Sequence, residues 1–249
     1  MRTYFVSDAH LGSLAFKDKR ANELKLVRWL DSIKPDCEAL YLVGDMIDFW
    51  FEYKLVVPKG FARFFGKLAE FTDQGIPVHW FCGNHDIWLF DYVQDELGVT
   101  IHNGALETLI KNRTCYIAHG DGLGDPSKSF RILRSIFHNK LNQRLFAFLH
   151  PRLGIGFGLN WAKQSRLKRI DSPETYLGEN KEYLVKFARK HAENAGTKAP
   201  DFYVFGHRHI LLDLMISKKS RVLILGDWFS QFSYGVFDGN TFSLELFED

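Results

Sequence analysis

The sequence predicts a layered α/β domain, and three observations carry that reading. Short β-type runs alternate with stretches of helical periodicity along the first half of the chain, and β-type runs resume near its end. The polar residues that packing does not explain cluster just after the β-type runs. Apolar residues make up 46% of the 249 and charged residues 25%, a globular balance that excludes disorder and collagen-like repeats. At this length the chain is one large domain, or one domain with an insertion.

Taken in order, a strand is expected over residues 3–7, a helix over 22–33 and a second strand over 39–43. A helix over 60–72, a strand over 77–81 and a short helix over 92–97 follow. Strands over 106–110 and 114–118 are joined by the turn Lys111-Asn112-Arg113. After Gly124 the pattern turns helical. Asp125-Pro126-Ser127 is one start signal, and Ser172-Pro173-Glu174 is a second, an N-cap followed by Pro at the first helical position. Strands resume over 201–205, 212–216, 222–226 and 232–237. The turn Asp238-Gly239-Asn240 then leads into 242–247 as a hairpin. There is no internal repeat and no low-complexity linker. The expected organisation is a core of residues 1–125 and 200–249, interrupted by a helical insertion over 126–199.

The formal charge of +2 hides an asymmetry. Residues 126–170 hold ten Lys/Arg and no Asp or Glu, leaving 22 Lys/Arg against 30 Asp/Glu elsewhere, a balance of −8. That is not a uniformly basic nucleic-acid binder. The same block is rich in Phe, Leu and Ile, among them Phe130, Leu133, Phe137, Leu141, Phe146 and Phe148. Basic and apolar residues at helical spacing suit a surface that lies against anionic lipid or a phosphorylated amphiphile. The plainer alternative is an insertion that packs its apolar face on the body and solvates its cations. Three scattered cysteines (Cys37, Cys82, Cys115) form no Cys-x-x-Cys pair and read as reduced small hydrophobes. Neither a signal peptide nor an apolar run of roughly 18 residues is present, so a cytoplasmic protein is expected.

The chemistry sits at strand ends. Asp8-Ala9-His10, Gly44-Asp45-Met46-Ile47-Asp48, Cys82-Gly83-Asn84-His85-Asp86, His119-Gly120-Asp121 and Gly206-His207-Arg208-His209 each follow a β-type run. In layered α/β folds such loops converge on one crevice. Asp8, His10, Asp45, Asn84, His119, His207 and His209 then offer nitrogen and oxygen donors without a thiolate, a set for a hard or borderline divalent metal. Each fragment alone is a common turn or cap; their conjunction is what signifies. His79, His102, His138, His150 and His191 lack that context and read as surface or core histidines.

With these residues the chain resembles the calcineurin-like metallophosphoesterases, whose pattern Asp-x-His, Gly-Asp-x-x-Asp, Gly-Asn-His-Asp, His and Gly-His-x-His is present in order outside the insertion. The resemblance implies a four-layer αββα sandwich with two divalent cations at one rim. Asp8, His10, Asp45 and His209 would hold one cation, and Asp45, Asn84, His119 and His207 the other, with Asp45 bridging. His85 would be the acid or transition-state donor, its ring oriented by Asp86, while Asp48 and Asp121 would support the site without touching metal.

Within that superfamily the chain is similar to the UDP-2,3-diacylglucosamine pyrophosphatases of the lipid A pathway, on Phe5-Val6-Ser7-Asp8-Ala9-His10-Leu11-Gly12, on Leu42 to Trp50, and on a basic helical insertion between His119 and His207. That family hydrolyses its substrate's diphosphate to UMP and 2,3-diacylglucosamine 1-phosphate, usually with manganese, beneath a helical lid that holds the acyl chains. The implied partners are a lipid-linked UDP-sugar and the cytoplasmic face of the inner membrane, with no nucleic acid and no obligate protein. Asn84, His85, Asp125, Ser165, Arg169 and His207 are the expected substrate contacts. One departure stands out: the best-known members carry Arg where His85 stands. A phosphoesterase of soluble substrates is the rival, and it expects a lid packed shut. A metal-free scaffold of the same fold is a weaker rival, because all seven ligand positions are intact.

Overall fold

A computed structural model describes residues 1–171 and 174–248, and the side chains of all of these except 168–171. The first sheet is built on three parallel strands, β1 (Arg2–Val6), β2 (Cys37–Leu42) and β3 (Val78–Phe81). Helix α1 (Lys19–Ile33) connects β1 to β2, and α2 (Ala62–Asp73) connects β2 to β3. Asp18 caps α1, its Oδ1 accepting the Ala21 N–H at 2.9 Å, which starts that helix three residues ahead of the expected 22. After α3 (Tyr92–Leu97) comes β4 (Thr100–His102), which extends the sheet beyond β3. Three residues are too few to carry a periodicity, so β4 was not anticipated.

The second sheet contains β5 (Leu106–Ile110), β6 (Arg113–Ala118), β7 (Phe202–Phe205), β8 (Leu211–Met215) and β9 (Arg221–Leu225), in the order β5-β6-β7-β9-β8. Strands β10 (Ser233–Phe237) and β11 (Phe242–Leu246) return to the first sheet, giving β11-β10-β1-β2-β3-β4. At the β5–β6 hairpin, Lys111 and Asn112 both take positive φ, as a tight primed turn requires.

Packing makes four layers. Leu26, Trp29 and Leu30 of α1 and Phe64, Leu68 and Phe71 of α2 cover one face of the first sheet. Phe5, Tyr41 and Phe81 meet Ile117, Val204 and Leu223 between the sheets. Helix α7 (Tyr183–Ala195) covers the outer face of the second sheet with Leu184, Val185 and Ala188. Full burial of side chains this size contributes about 1.5–3 kcal/mol each. Because α7 is a core layer, the expected insertion over 126–199 is too long. The part above the sandwich is α4 (Lys128–His138), α5 (Lys140–Ala147) and α6 (Pro151–Asp171).

Ser127 caps α4 by accepting the Phe130 N–H, as its start signal anticipated. The second signal is not followed by a helix where it was expected. Ser172 and Pro173 lie outside the described residues, residues 174–182 are irregular, and α7 begins at Tyr183. Glu174 and Glu182 are instead engaged by Arg208, which binds them both from the β7–β8 loop. The insertion docks through Phe137, Phe146, Ile155 and Leu159 onto Phe49, Phe51, Ile87 and Trp88. Gly158 permits that approach, since a Cβ there would run into the Phe49 ring.

Candidate metal centre

The parallel strands β1, β2, β3, β6 and β7 all end toward one rim, so their following loops meet there. Three groups of donors, all buried except the half-buried His85, lie close enough to share a cation: Asp8, His10 and His209; His10, Asp45 and His85; and Asp45, His119 and His207. Asp45 belongs to two of them. His209 Nε2 is 3.3 Å from Asp8 Oδ1, and His10 Nε2 lies 3.6 Å from that oxygen and 3.7 Å from Asp45 Oδ2. His119 Nε2 stands 3.5 Å from Asp45 Oδ2 and 3.4 Å from Asn84 Oδ1.

The residues fit a pair of cations. Asp8 Oδ1, His10 Nε2 and Asp45 Oδ2 are buried and make no hydrogen bond among the described residues. Leaving such atoms unmatched costs about 1–3 kcal/mol each, more for charged ones, so their convergence requires positive charge between them. The backbone is strained at the same places. Asp8, His10, Asp45 and His207 are four of the eight non-glycine residues with positive φ among the described residues. Gly44 gives way to the site: it has φ +85°, and a Cβ there would strike the His119 ring.

Partners fix the rings. His119 Nδ1 donates to the Val43 carbonyl at 2.9 Å, which turns Nε2 to the site. His10 Nδ1 faces Asp48 Oδ1 at 3.3 Å. His85 Nδ1 donates to the Asp48 carbonyl at 2.8 Å, so the neutral ring keeps Nε2 as its acceptor. The expectation that Asp86 orients His85 is corrected. The Asp86 carboxylate points the other way and accepts from Gly83, Asp45 and Met46 N–H and from Trp80 Nε1, tying the loop after β2 to the loop after β3.

Electrostatics follow from burial and from these neighbours. Burial would raise the Asp8 carboxyl, but His10 and His209 outweigh it and hold it well below the usual carboxylate range. Burial pushes His85 down to about 4 despite the pull of Asp45. His119 goes the other way: burial disfavours its imidazolium, yet Asp45 and Asp8 lift it to about 10.

Beside these donors the insertion roofs a cavity of about 180 Å³, with Asn84 and His85 at its polar end and Trp88, Phe130, Phe137 and Trp161 around it. Ser165, expected as a substrate contact, is on its wall. A smaller space of about 130 Å³ shares Trp88, Phe137 and Trp161 and continues between α5 and α6. Asp125 is not on the cavity wall; its carboxylate caps the turn before α4 by accepting the Ser127 N–H at 2.7 Å. The Arg169 side chain lies outside the described residues. Asp121 pairs with Arg134 at 2.6 Å, and Asp48 supports His10 and His85.

Sequence reasoning missed Arg166. Only 1% exposed, it brings a guanidinium from α6 to within 3.6 Å of Asp48 and over the Phe229 ring at 5.0 Å. Nothing in the sequence distinguishes it from the nine other cations of its block. Asp227 was also missed. It binds the Phe229, Ser230 and Gln231 N–H groups and lies 3.9 Å from His209 Nδ1.

A family model described as calcineurin-like phosphoesterase matches residues 1–211. The chain is 41% identical to UDP-2,3-diacylglucosamine hydrolase of Porphyromonas gingivalis, with 100% of this chain and 98% of the relative covered. It is 26% identical to the protein of the same name from Edwardsiella ictaluri, covering 84% of this chain and 76% of that one. Among solved structures, a dimetal phosphatase from Danio rerio matches with a TM-score of 0.50 and 13% identity over 98% of this chain and 95% of that one. At that identity the likeness shows the fold alone.

Proposed function

The chain belongs to the calcineurin-like phosphoesterase family, and from that premise we propose that it hydrolyses the diphosphate of UDP-2,3-diacylglucosamine to UMP and 2,3-diacylglucosamine 1-phosphate, a step of lipid A biosynthesis. The observation that carries the substrate is the aromatic-walled cavity that opens beside Asn84 and His85. A phosphoesterase of small polar substrates gains nothing from Trp88, Phe130, Phe137 and Trp161 around its reacting group, whereas each buried CH₂ of an acyl chain contributes about 0.8 kcal/mol.

Asp8, His10, Asp45 and His209 would hold one divalent cation, and Asp45, Asn84, His119 and His207 the other. The donor set suits manganese. When bound, such cations offset charge on the phosphoryl oxygens and lower the pKa of a bound water. His85 works from the cavity wall. Its neutral ring offers Nε2 as an acceptor, and an anionic diphosphate arriving beside it favours the imidazolium. A proton taken up at Nε2 with the substrate would let the ring donate a hydrogen bond to a phosphoryl oxygen. Arg166 adds fixed positive charge from the roof through its place beside Asp48. Ser165, which lines the same cavity, would meet the sugar. The enzyme works on the cytoplasmic face of the inner membrane, where its substrate resides, with the insertion turned to the lipid.

The test compares rates on the diacyl substrate and on the same UDP-sugar stripped of both chains, at equal manganese concentration and with UMP release followed. The acylated substrate is expected to be turned over about a hundredfold faster or more in kcat/KM, because several methylenes enter the cavity. Equal rates would overturn the assignment and favour a soluble phosphoester.

A further inference from the structure

We propose that a groove on the other flank of α6, separated from the substrate cavity by Phe49, binds one anionic phospholipid, with the phosphate at a cluster of cations and an acyl chain along an apolar floor. The groove measures about 740 Å³ and runs between the first half of α6, the 56–63 segment and the start of α1. Leu14, Phe49, Val57, Phe61, Ile155 and Leu159 form its floor. Lys19, Arg20, Lys59, Arg63 and Arg152 line it as well, against the single carboxylate of Glu23. That carboxylate is already engaged, its Oε1 accepting the Arg63 and Phe64 N–H groups at 3.1 and 3.2 Å. Among the described residues none of the five cations has an ion-pair partner.

Charge decides between the possible occupants. Five cations around one engaged carboxylate repel one another unless an anion sits among them. The sugar substrate cannot be that anion: its diphosphate belongs at the metal ligands beyond Phe49, and its acyl chains are uncharged. A membrane phospholipid supplies phosphate and chain together. Leu55 (91% exposed) and Leu153 (67%), next in sequence to the groove residues Val56 and Arg152, are exposed apolar side chains available to the bilayer. In this respect the inference rests on the membrane-facing orientation proposed above.

The sequence of α6 provides a selective probe. Gly158 is pressed against Phe49, but Gly156 lines the groove, and a Cβ there meets nothing within 4 Å. A side chain at 156 therefore starts from open space at the groove wall, and a large one there would compete for the groove.

The experiment titrates dihexanoyl phosphatidylglycerol, below its micelle concentration, into the metal-loaded full chain by calorimetry. One molecule is expected to bind. Gly156→Trp and the exposed pair Lys59→Gln with Arg152→Gln should each weaken binding about tenfold or more, as should replacing the lipid by dihexanoyl phosphatidylcholine. Gly156→Ala should leave binding unchanged, and Gly156→Trp should still hydrolyse micellar diacyl substrate. Equal binding by Gly156→Trp, or equal binding of the two lipids, overturns the proposal. So does a Gly156→Trp protein that melts normally yet loses turnover, for the groove would then hold a chain of the substrate. No bilayer enters this titration, so a failure of the native protein to bind vesicles counts against the orientation proposed above and not against the groove.

Discussion

His119 is held where a cation must compete with a proton. Burial opposes its imidazolium, but the Asp45 and Asp8 carboxylates lift its pKa to about 10. Its Nδ1 proton stays on the Val43 carbonyl, so the proton in competition is the one on Nε2, facing Asp45 Oδ2. A metal coordinates only the neutral nitrogen. Below pH 10 the ring is therefore protonated before loading and neutral after it, and apparent affinity must rise with pH in that range. Manganese titrations at pH 8 in two buffers of different ionisation enthalpy should show release of about one proton per protein at this site. Identical heats in the two buffers would mean that His119 is no ligand. The strand-end loops made this cluster of donors legible in the sequence, because each loop carries a donor beside a glycine or a small residue. The direction of Asp86 was not legible. It follows Asn84 and His85 in sequence, yet tertiary contacts turn its carboxylate toward the Asp45 loop.

Elements are set against the site by buried charges that no pattern announces. Glu52 is buried and accepts from Trp50 Nε1 and from the Phe90, Asp91 and Tyr92 N–H groups at the start of α3. It joins the loop after β2 to the helix after β3, the two loops that carry Asp45 and His85. Its negative charge also suits the exposed N–H groups of a helix start. Glu52→Ala should cost about 3 kcal/mol of unfolding free energy, since the buried Trp50 N–H and three part-buried backbone N–H groups lose a charged acceptor, and urea denaturation would measure it. A loss under about 0.5 kcal/mol would show that water replaces the carboxylate without penalty. Most strands and the early helices were legible because their periodicity and their burial agree. The start of α7 was not, because Arg208 holds Glu174 and Glu182 across the chain and local propensity does not decide that segment.

The whole molecule places its charge asymmetrically for a reason that burial makes visible. Of the ten cations in 126–170, Arg134 and Arg166 turn inward to Asp121 and Asp48. Lys128, Arg131, Lys140, Arg144 and Arg152 are exposed, and they stand among outward apolar side chains such as Leu141, Leu145 and Phe148, the last 87% exposed. The insertion is thus apolar on two sides, toward the cavity and toward the outside. No helix among the described residues is long and apolar enough to cross a membrane. In the membrane-facing orientation proposed above, that outer face would be the surface that meets the lipid. The two components of attachment answer differently to salt. Each Lys or Arg near an anionic leaflet contributes about 1 kcal/mol and fades within a Debye length, whereas apolar insertion is not screened. With phosphatidylglycerol vesicles at low salt, Arg131→Gln together with Arg144→Gln should weaken binding by about tenfold or more, and the difference from native protein should vanish at roughly 0.5 M salt. Phe148→Ser should weaken binding at both salt concentrations. Neither variant should alter hydrolysis of a small chromogenic phosphodiester, because none of the three residues reaches the cavity wall. If Phe148→Ser bound vesicles as well as native protein at high salt, the outer apolar face would have no part in docking, and attachment would rest on charge alone.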